Sequence, residues 1–439
     1  MYDVIVGRSE EDVKEYGKQA TALIGKQYVK MGNISSLSNN IYLDLASPHV
    51  VFICGKRGSG KSYTMGAITE GIVNVEKEVR NNLSVVIVDT MGIYWTMKYP
   101  NMKDKELLKK WDLEETGFKD ARVFVPSGHY EKFKEKGIEV DVPFSIIPSE
   151  LSPADWCNSF GIKQTSALGA VIEKAVFELK KSKEKFGIDE IIKHIKNDKE
   201  VSEEAKLSAI NRFNSAKTWG LFSLEGTPLS SIVYRGGVSI LDVSCYVTMQ
   251  GSEGIKSLVI GIIAQKLFED RMESRRIEEF EELKSTMEYF SSGEKKAVME
   301  KPLVWIIVDE AHEFLPREGK TPASDAMKTL LREGRQPGIS MVLATQQPGK
   351  IHTDVMTQSD IFISHRLTAE VDLKALSLMM QSYMRKGLDK QVSNVPKTKG
   401  AALIFDDYNE RMLPIQIRPR ITWHGGSSPN AIPKKKELF

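Results

Sequence analysis

"HVVFICGKRGSGKSYTMGAITEGI" fills residues 49–72, and its reading decides the fold. An apolar run leads into G-x-x-x-x-G-K-S and out into a helical pattern. That strand–loop–helix setting is the one this motif needs to hold phosphate. Glycines let the backbone curl, so that successive N–H groups face phosphate oxygens beside the positive end of a helix. Gly55, Lys56, Arg57, Gly58, Ser59, Gly60, Lys61, Ser62 and Tyr63 are therefore candidate nucleotide-binding residues. Lys61 is expected to reach the β- and γ-phosphates, and the Ser62 hydroxyl to meet Mg²⁺. ATP and Mg²⁺ are the expected substrate and metal.

A phosphate loop of this kind needs a carboxylate at the end of a second buried strand. "VWIIVDEAHEFLP" (304–316) supplies two. Asp309 is the metal-side candidate, and Glu310 the candidate that orients and deprotonates the attacking water. "VVIVD" (85–89) is a rival strand, but no carboxylate follows Asp89. The letters DEAH also name a helicase group, in which both motifs share one compact lobe and a second full lobe follows. Here Lys61 and Asp309 stand more than half the chain apart, and too little chain remains for a second lobe.

"LLREGRQPGISMVLATQQP" (330–348) places Arg332 and Arg335 just before another strand, which ends in Thr345, Gln346 and Gln347. A glutamine at a strand tip can sense the γ-phosphate. An arginine at a subunit edge can add positive charge to a neighbour's transition state. Gln346 or Gln347 is the candidate sensor and Arg335 the candidate finger.

Buried strands alternate with helices along the chain, which implies an α/β fold: a RecA-like, doubly wound, mostly parallel sheet. The domains expected are a short N-terminal β module or arm (1–48), a first core part (49–150), an all-helical insertion (151–222), a second core part (223–425) and a tail (426–439). The charged stretch 274–300 reads as a helix end followed by an exposed loop. "KYPNMKDKELLKK" (98–110) and "KIHTDVMTQ" (350–358) are candidate loops for gripping a phosphate backbone.

The bulk properties of the 439 residues are ordinary for a globular protein: 41% hydrophobic, 27% charged, net charge +2. No overall charge signals nucleic acid. Cys54, Cys157 and Cys245 form no C-x-x-C pair, which argues against zinc or a disulfide framework. No signal peptide or membrane-length apolar run is evident, so the expected location is the cytoplasm.

The motif order "ICGKRGSGKSYTMG", "VVIVDTMGIYW", "VWIIVDEAHEFLP", "REGRQPGISMVLATQQP" and "RPRITWHGG" resembles the HerA branch of the HerA/FtsK translocases over roughly residues 40–425. The resemblance implies a homo-oligomer, a hexameric ring that threads double-stranded DNA and hydrolyses ATP between subunits. It also implies a C-terminal brace against a neighbouring subunit, with Arg420 approaching the shared site. A nuclease of the NurA type or another effector is the implied partner, although the N-terminal barrel that would dock it is here at most truncated. Another departure is Met91 and Ile93 where the family often has histidine and glutamate. The alternatives are a type IV secretion or conjugation ATPase, and a nucleotide-locked scaffold that activates a defence effector.

Overall fold

The apolar runs of the sequence become the strands of one sheet. The computed structural model describes residues 3–31, 34–249, 253–292, 301–367, 395–396 and 398–426. The strands among them are β1 (Val4–Val6), β2 (Thr21–Met31), β3 (Ile34–Asp44), β4 (Val50–Cys54), β5 (Leu83–Asp89), β6 (Arg122–Pro126), β7 (Val142–Phe144), β8 (Val238–Asp242), β9 (Leu303–Val308), β10 (Ile339–Thr345), β11 (Ile361–His365), β12 (Ala401–Asp406) and β13 (Arg411–Ile417). They form a 13-stranded sheet in the order β1-β3-β2-β13-β12-β11-β4-β10-β9-β5-β8-β6-β7. From β11 to β7 every pairing is parallel. β12, β13 and β2 extend the sheet in antiparallel fashion.

Parallel strands covered on both faces are apolar at every position, because alternate side chains enter different cores. In β4, Phe52 and Cys54 enter one core, and Val51 and Ile53 the other. In β9, Ile306 and Val308 face the first, and Trp305 and Ile307 the second. This is the expected fold class: a mostly parallel P-loop sheet with added helices.

Four helices, Pro153–Ser159, Ala167–Ser182, Ile188–Asn197 and Glu203–Lys217, lie between β7 and β8. Ser152 opens the first through a capping box with Asp155. Their shared core is aromatic, with Trp156 packed against Phe160, Phe213 and Phe222.

In the N-terminal segment, β2 pairs with β13 and so continues the central sheet. Of the charged stretch 274–300, the helix end reaches Ser292, as part of one 40-residue helix that runs from Glu253 to Ser292. The expected loop residues 293–300 and the tail from 427 onward lie outside the described residues.

The closing "RPRIT" segment packs on its own chain. Glu70, fully buried on the helix Lys61–Val73, accepts from the Arg418 Nη1 at 2.8 Å, the Arg420 Nε at 3.0 Å and the backbone N–H groups of Ile421 and Thr422. Gly66, one turn earlier, leaves room for the Arg420 guanidinium, which a Cβ would meet at 2.5 Å.

Candidate active site

β4 delivers the chain into the glycine loop, and the helix Lys61–Val73 carries it away. Gly58 (φ +74°) and Gly60 (φ +121°) sit in the left-handed half of backbone space, where a side chain is strained. No acidic residue occupies the first turn of the helix, so its positive end stays uncompensated. The Ser59 hydroxyl is buried without a partner, which suits a loop shaped for phosphate. Lys56, Arg57 and Gly58 are exposed at the rim.

Lys61 is buried and donates to the Lys56 carbonyl at 3.3 Å. Burial lowers the pKa of its ammonium, against the opposing pull of Glu310 and Asp309. Those carboxylates arrive from β9. The Ser62 hydroxyl donates to Asp309 Oδ2 at 2.7 Å, which joins the two expected metal-side groups. Burial raises the Asp309 carboxyl, and the Glu310 charge adds to it. A hydroxyl and a carboxylate are hard oxygen donors of the kind Mg²⁺ takes alongside phosphates and water.

Glu310 takes the left-handed conformation, φ +50° and ψ +42°, a strained state for a residue with a side chain. The Gln346 amide, at the tip of β10, donates to its Oε1. Its Oε2 is buried with no hydrogen bond and lies 3.5 Å from His312 Nδ1. Gln347 turns away, toward His312 Nε2 at 3.4 Å, while His312 also meets the Thr345 hydroxyl at 3.0 Å. Of the two candidate sensors, Gln346 therefore faces Glu310. Tyr63 packs its ring on His424 and accepts the Arg420 N–H.

Two arginine expectations separate. Arg335 is exposed in the loop between the helix Ser324–Glu333 and β10. β10 runs parallel to β4, so that loop lies at the sheet end opposite the chain's own phosphate loop. The 7 residues of β10 make that separation roughly 20 Å at about 3.3 Å each. Arg335 cannot serve its own site. The Arg420 guanidinium is held within its own chain by Glu70 and Thr422. Arg332 pairs with Asp354 at 2.7 Å.

Asp89, the rival metal carboxylate, is consumed by its own turn, accepting the N–H groups of Met91, Gly92, Ile93 and Tyr94. Burial, then the neighbouring Asp242 carboxylate, raises its pKa. His365 was not singled out from sequence. It ends β11 beneath the glycine loop, bonds the Thr64 hydroxyl at 2.8 Å, and leaves no room for a Cβ on Gly55. Burial pulls its ring down to about 4, so it is a neutral support. The one available signal was a histidine closing an apolar strand, "IFISH".

Comparison with known proteins identifies the family and the fold. Residues 29–263 match the family described as "Helicase HerA, central domain", and residues 255–410 match the family described as "Zonular occludens toxin (Zot)". The DNA double-strand break repair helicase HerA of Pyrococcus furiosus is 30% identical over 105 residues, 24% of this chain and 18% of that protein. Its namesake from Saccharolobus solfataricus is 21% identical over 394 residues, 85% of this chain and 63% of that protein. The chain thus spans less than two thirds of either relative. Among solved structures, VirB4 of Thermoanaerobacter pseudethanolicus shares the fold, with a TM-score of 0.56 at 13% identity over 91% of this chain and 96% of that one.

Proposed function

We propose, from the premise that the chain belongs to the family of the HerA helicase central domain, that it hydrolyses ATP between neighbouring copies of itself and uses the cycle to move a polymer. The carrying observation is the meeting of Ser62, Asp309, Glu310 and Gln346 beside the glycine loop, from stretches far apart in sequence. In this reading Lys61 and the loop amides hold the β- and γ-phosphates. Ser62 and Asp309 would hold Mg²⁺, which when bound neutralises charge on the phosphate oxygens. Glu310 takes a proton from the attacking water, and Gln346 couples that carboxylate to the strand tip. Arg335 of the next copy adds positive charge to the transition state. The assembly proposed is a ring of six.

Double-stranded DNA is the first cargo, because the curated relatives are DNA break-repair helicases. A secretion- or conjugation-type motor is the second reading. The observation in its favour is the fold match to almost the whole of VirB4, where the repair helicases are matched over shorter shares. No helix among the described residues is long and apolar enough to cross a membrane, so membrane docking in that reading runs through partners. The test is the ATPase rate with and without double-stranded DNA, measured beside the mass of the assembly. A multimer stimulated by DNA supports the first reading. A multimer indifferent to DNA supports the second, and a monomer that hydrolyses ATP at full rate refutes both.

A further inference from the structure

His312, the last letter of DEAH, stands two residues after the strained Glu310. A residue with a side chain stays in the left-handed region only where its surroundings hold it there. The Glu310 backbone is held at both ends: its N–H donates to Asp309 Oδ1 at 2.9 Å, and its carbonyl accepts the Glu313 N–H at 2.8 Å. The turn that follows is anchored as well. The Phe314 carbonyl accepts the Thr321 hydroxyl at 2.7 Å and the Ser324 hydroxyl at 3.1 Å. The Leu315 carbonyl accepts the His352 N–H at 2.8 Å, and the Arg317 N–H donates to the Lys350 carbonyl at 2.7 Å. His312 is therefore carried on a fixed turn, between the end of β9 and the segment that follows β10.

The ring meets three groups. Nδ1 lies 3.0 Å from the Thr345 hydroxyl and 3.5 Å from Glu310 Oε2, and Nε2 lies 3.4 Å from the Gln347 amide nitrogen. All three agree on one tautomer. An amide nitrogen only donates, so Nε2 offers its lone pair and the proton sits on Nδ1. Nδ1–H then donates to the Thr345 oxygen, which also accepts the Gln347 N–H at 3.0 Å. The same positive edge of the ring faces Glu310 Oε2, where the other tautomer would aim a lone pair at a carboxylate. Oε2 has no hydrogen bond of its own, whereas Oε1 receives the Gln346 amide. Thr345 is fully buried, and the Glu310 and His312 side chains are only 13% and 15% exposed, so little water screens the contact.

We infer that His312 is a positioning residue for ATP hydrolysis: its Nδ1–H, steadied by Thr345, holds the Glu310 carboxylate with Oε2 turned toward the attacking water. Gln346 fixes one carboxylate oxygen, and the histidine edge sets the direction of the other. At 3.5 Å the contact orients Oε2 without consuming it. As the water oxygen bonds to the γ-phosphorus and the bond to the β-phosphate oxygen breaks, the water's proton passes to Oε2. The inference rests on the proposed role of Glu310 as the acceptor of that proton.

The test compares replacements at position 312 in the full chain by kcat, KM, binding of a fluorescent ATP analogue and thermal midpoint. Asparagine can place an amide nitrogen where Nδ1 lies; glutamine, one methylene longer, reaches for the Nε2 position instead. His312→Ala and His312→Gln are expected to lower kcat about 10–100-fold, as loss of a group that orients a reacting one typically does, with KM and analogue affinity within about twofold. His312→Asn should restore kcat to within about threefold of the parent. Thr345→Val, which removes the hydroxyl at nearly equal size, should lower kcat in the same direction as His312→Ala. Equal kcat for the asparagine and glutamine variants, or a loss that follows KM or the thermal midpoint, overturns the inference. Joined to Glu310→Gln, His312→Ala should lower the residual turnover less than about twofold, because the group it positions is gone. A further loss of about tenfold there would give the histidine a role apart from Glu310 and overturn the inference too. Glu310→Gln alone separates the two claims. Full turnover in that variant refutes Glu310 as the proton acceptor, whereas low turnover in it beside normal turnover in His312→Ala refutes the histidine alone.

Discussion

Replacing Glu70 by glutamine should destabilise the whole nucleotide-binding half of the molecule. The Glu70 carboxylate is fully buried and holds Arg418 and Arg420, which are 3% and 1% exposed. It also accepts from two backbone N–H groups and the Thr422 hydroxyl. Burial alone would raise its pKa; the two guanidinium groups outweigh this and hold it below the usual range. Glutamine keeps the size but removes the charge, and it turns an N–H₂ toward a guanidinium. Two buried arginines are left without a counter-charge. Breaking a buried pair from one side costs about 3–5 kcal/mol. An unfolding entropy of about 2.1 cal/mol/K per residue, over a chain of this length, turns that into a midpoint roughly 3–6 °C lower. The same helix begins at the phosphate loop, so affinity for an ATP analogue should fall as well. The assays are thermal unfolding followed by circular dichroism, and analogue binding below the transition. A shift under about 1 °C with unchanged binding would refute the reasoning, because the arginines would then be held by something other than Glu70.

Two further outcomes are expected. His49 is buried between Asp360 (2.6 Å) and Asp44 (3.0 Å). Burial opposes its charge, but the two carboxylates outweigh it and lift the ring to about 9. That lies above the ordinary value of a free histidine, about 6.5, so its stabilisation is complete below about 6.5 and is lost as pH rises through about 9. His49→Asn should therefore destabilise more at pH 6 than at pH 10 in denaturant unfolding; an equal loss at both would contradict the charged ring. Gln346→Ala should lower turnover on the order of 10²-fold with ATP-analogue binding retained, while Gln347→Ala, facing His312, should change it far less. Equal effects would remove the distinction between the two glutamines.

The parts of the site legible in sequence are those written in one short stretch. The glycine loop and the pair Asp309–Glu310 each follow an apolar strand, and local chemistry is enough to read them. What joins distant stretches was not legible. Nothing in "GAITEGI" announces that Glu70 will meet Arg418 and Arg420, because the partners lie at the far end of the chain. Arg420 enters as a site candidate only through the resemblance of the closing stretch to a brace, and its contact with Glu70 is not written in either stretch. The pairing of the N-terminal β module was not legible for the same reason: its neighbour β13 comes almost last in the chain. Within 274–300, read as a helix end followed by a loop, the sequence does not mark how far the helix reaches, because its outer part lacks a core-facing pattern. Pairs along the helix, such as Arg275 with Glu279 at 3.2 Å and Arg271 with Glu278, support it instead.

The central claim is that each site is completed by a neighbour's Arg335, and mixing two inactive chains tests it most directly. Glu310→Gln lacks the group that activates water but keeps its arginine; Arg335→Ala has the reverse defect. Each alone should bind ATP and turn it over on the order of 10²-fold or more below the parent. Mixed rings contain interfaces in which an intact Glu310 meets an intact Arg335, so ATPase activity should reappear and peak near equal proportions. Mixed assemblies, demonstrated by differential labelling, that show no activity at any ratio would contradict the claim.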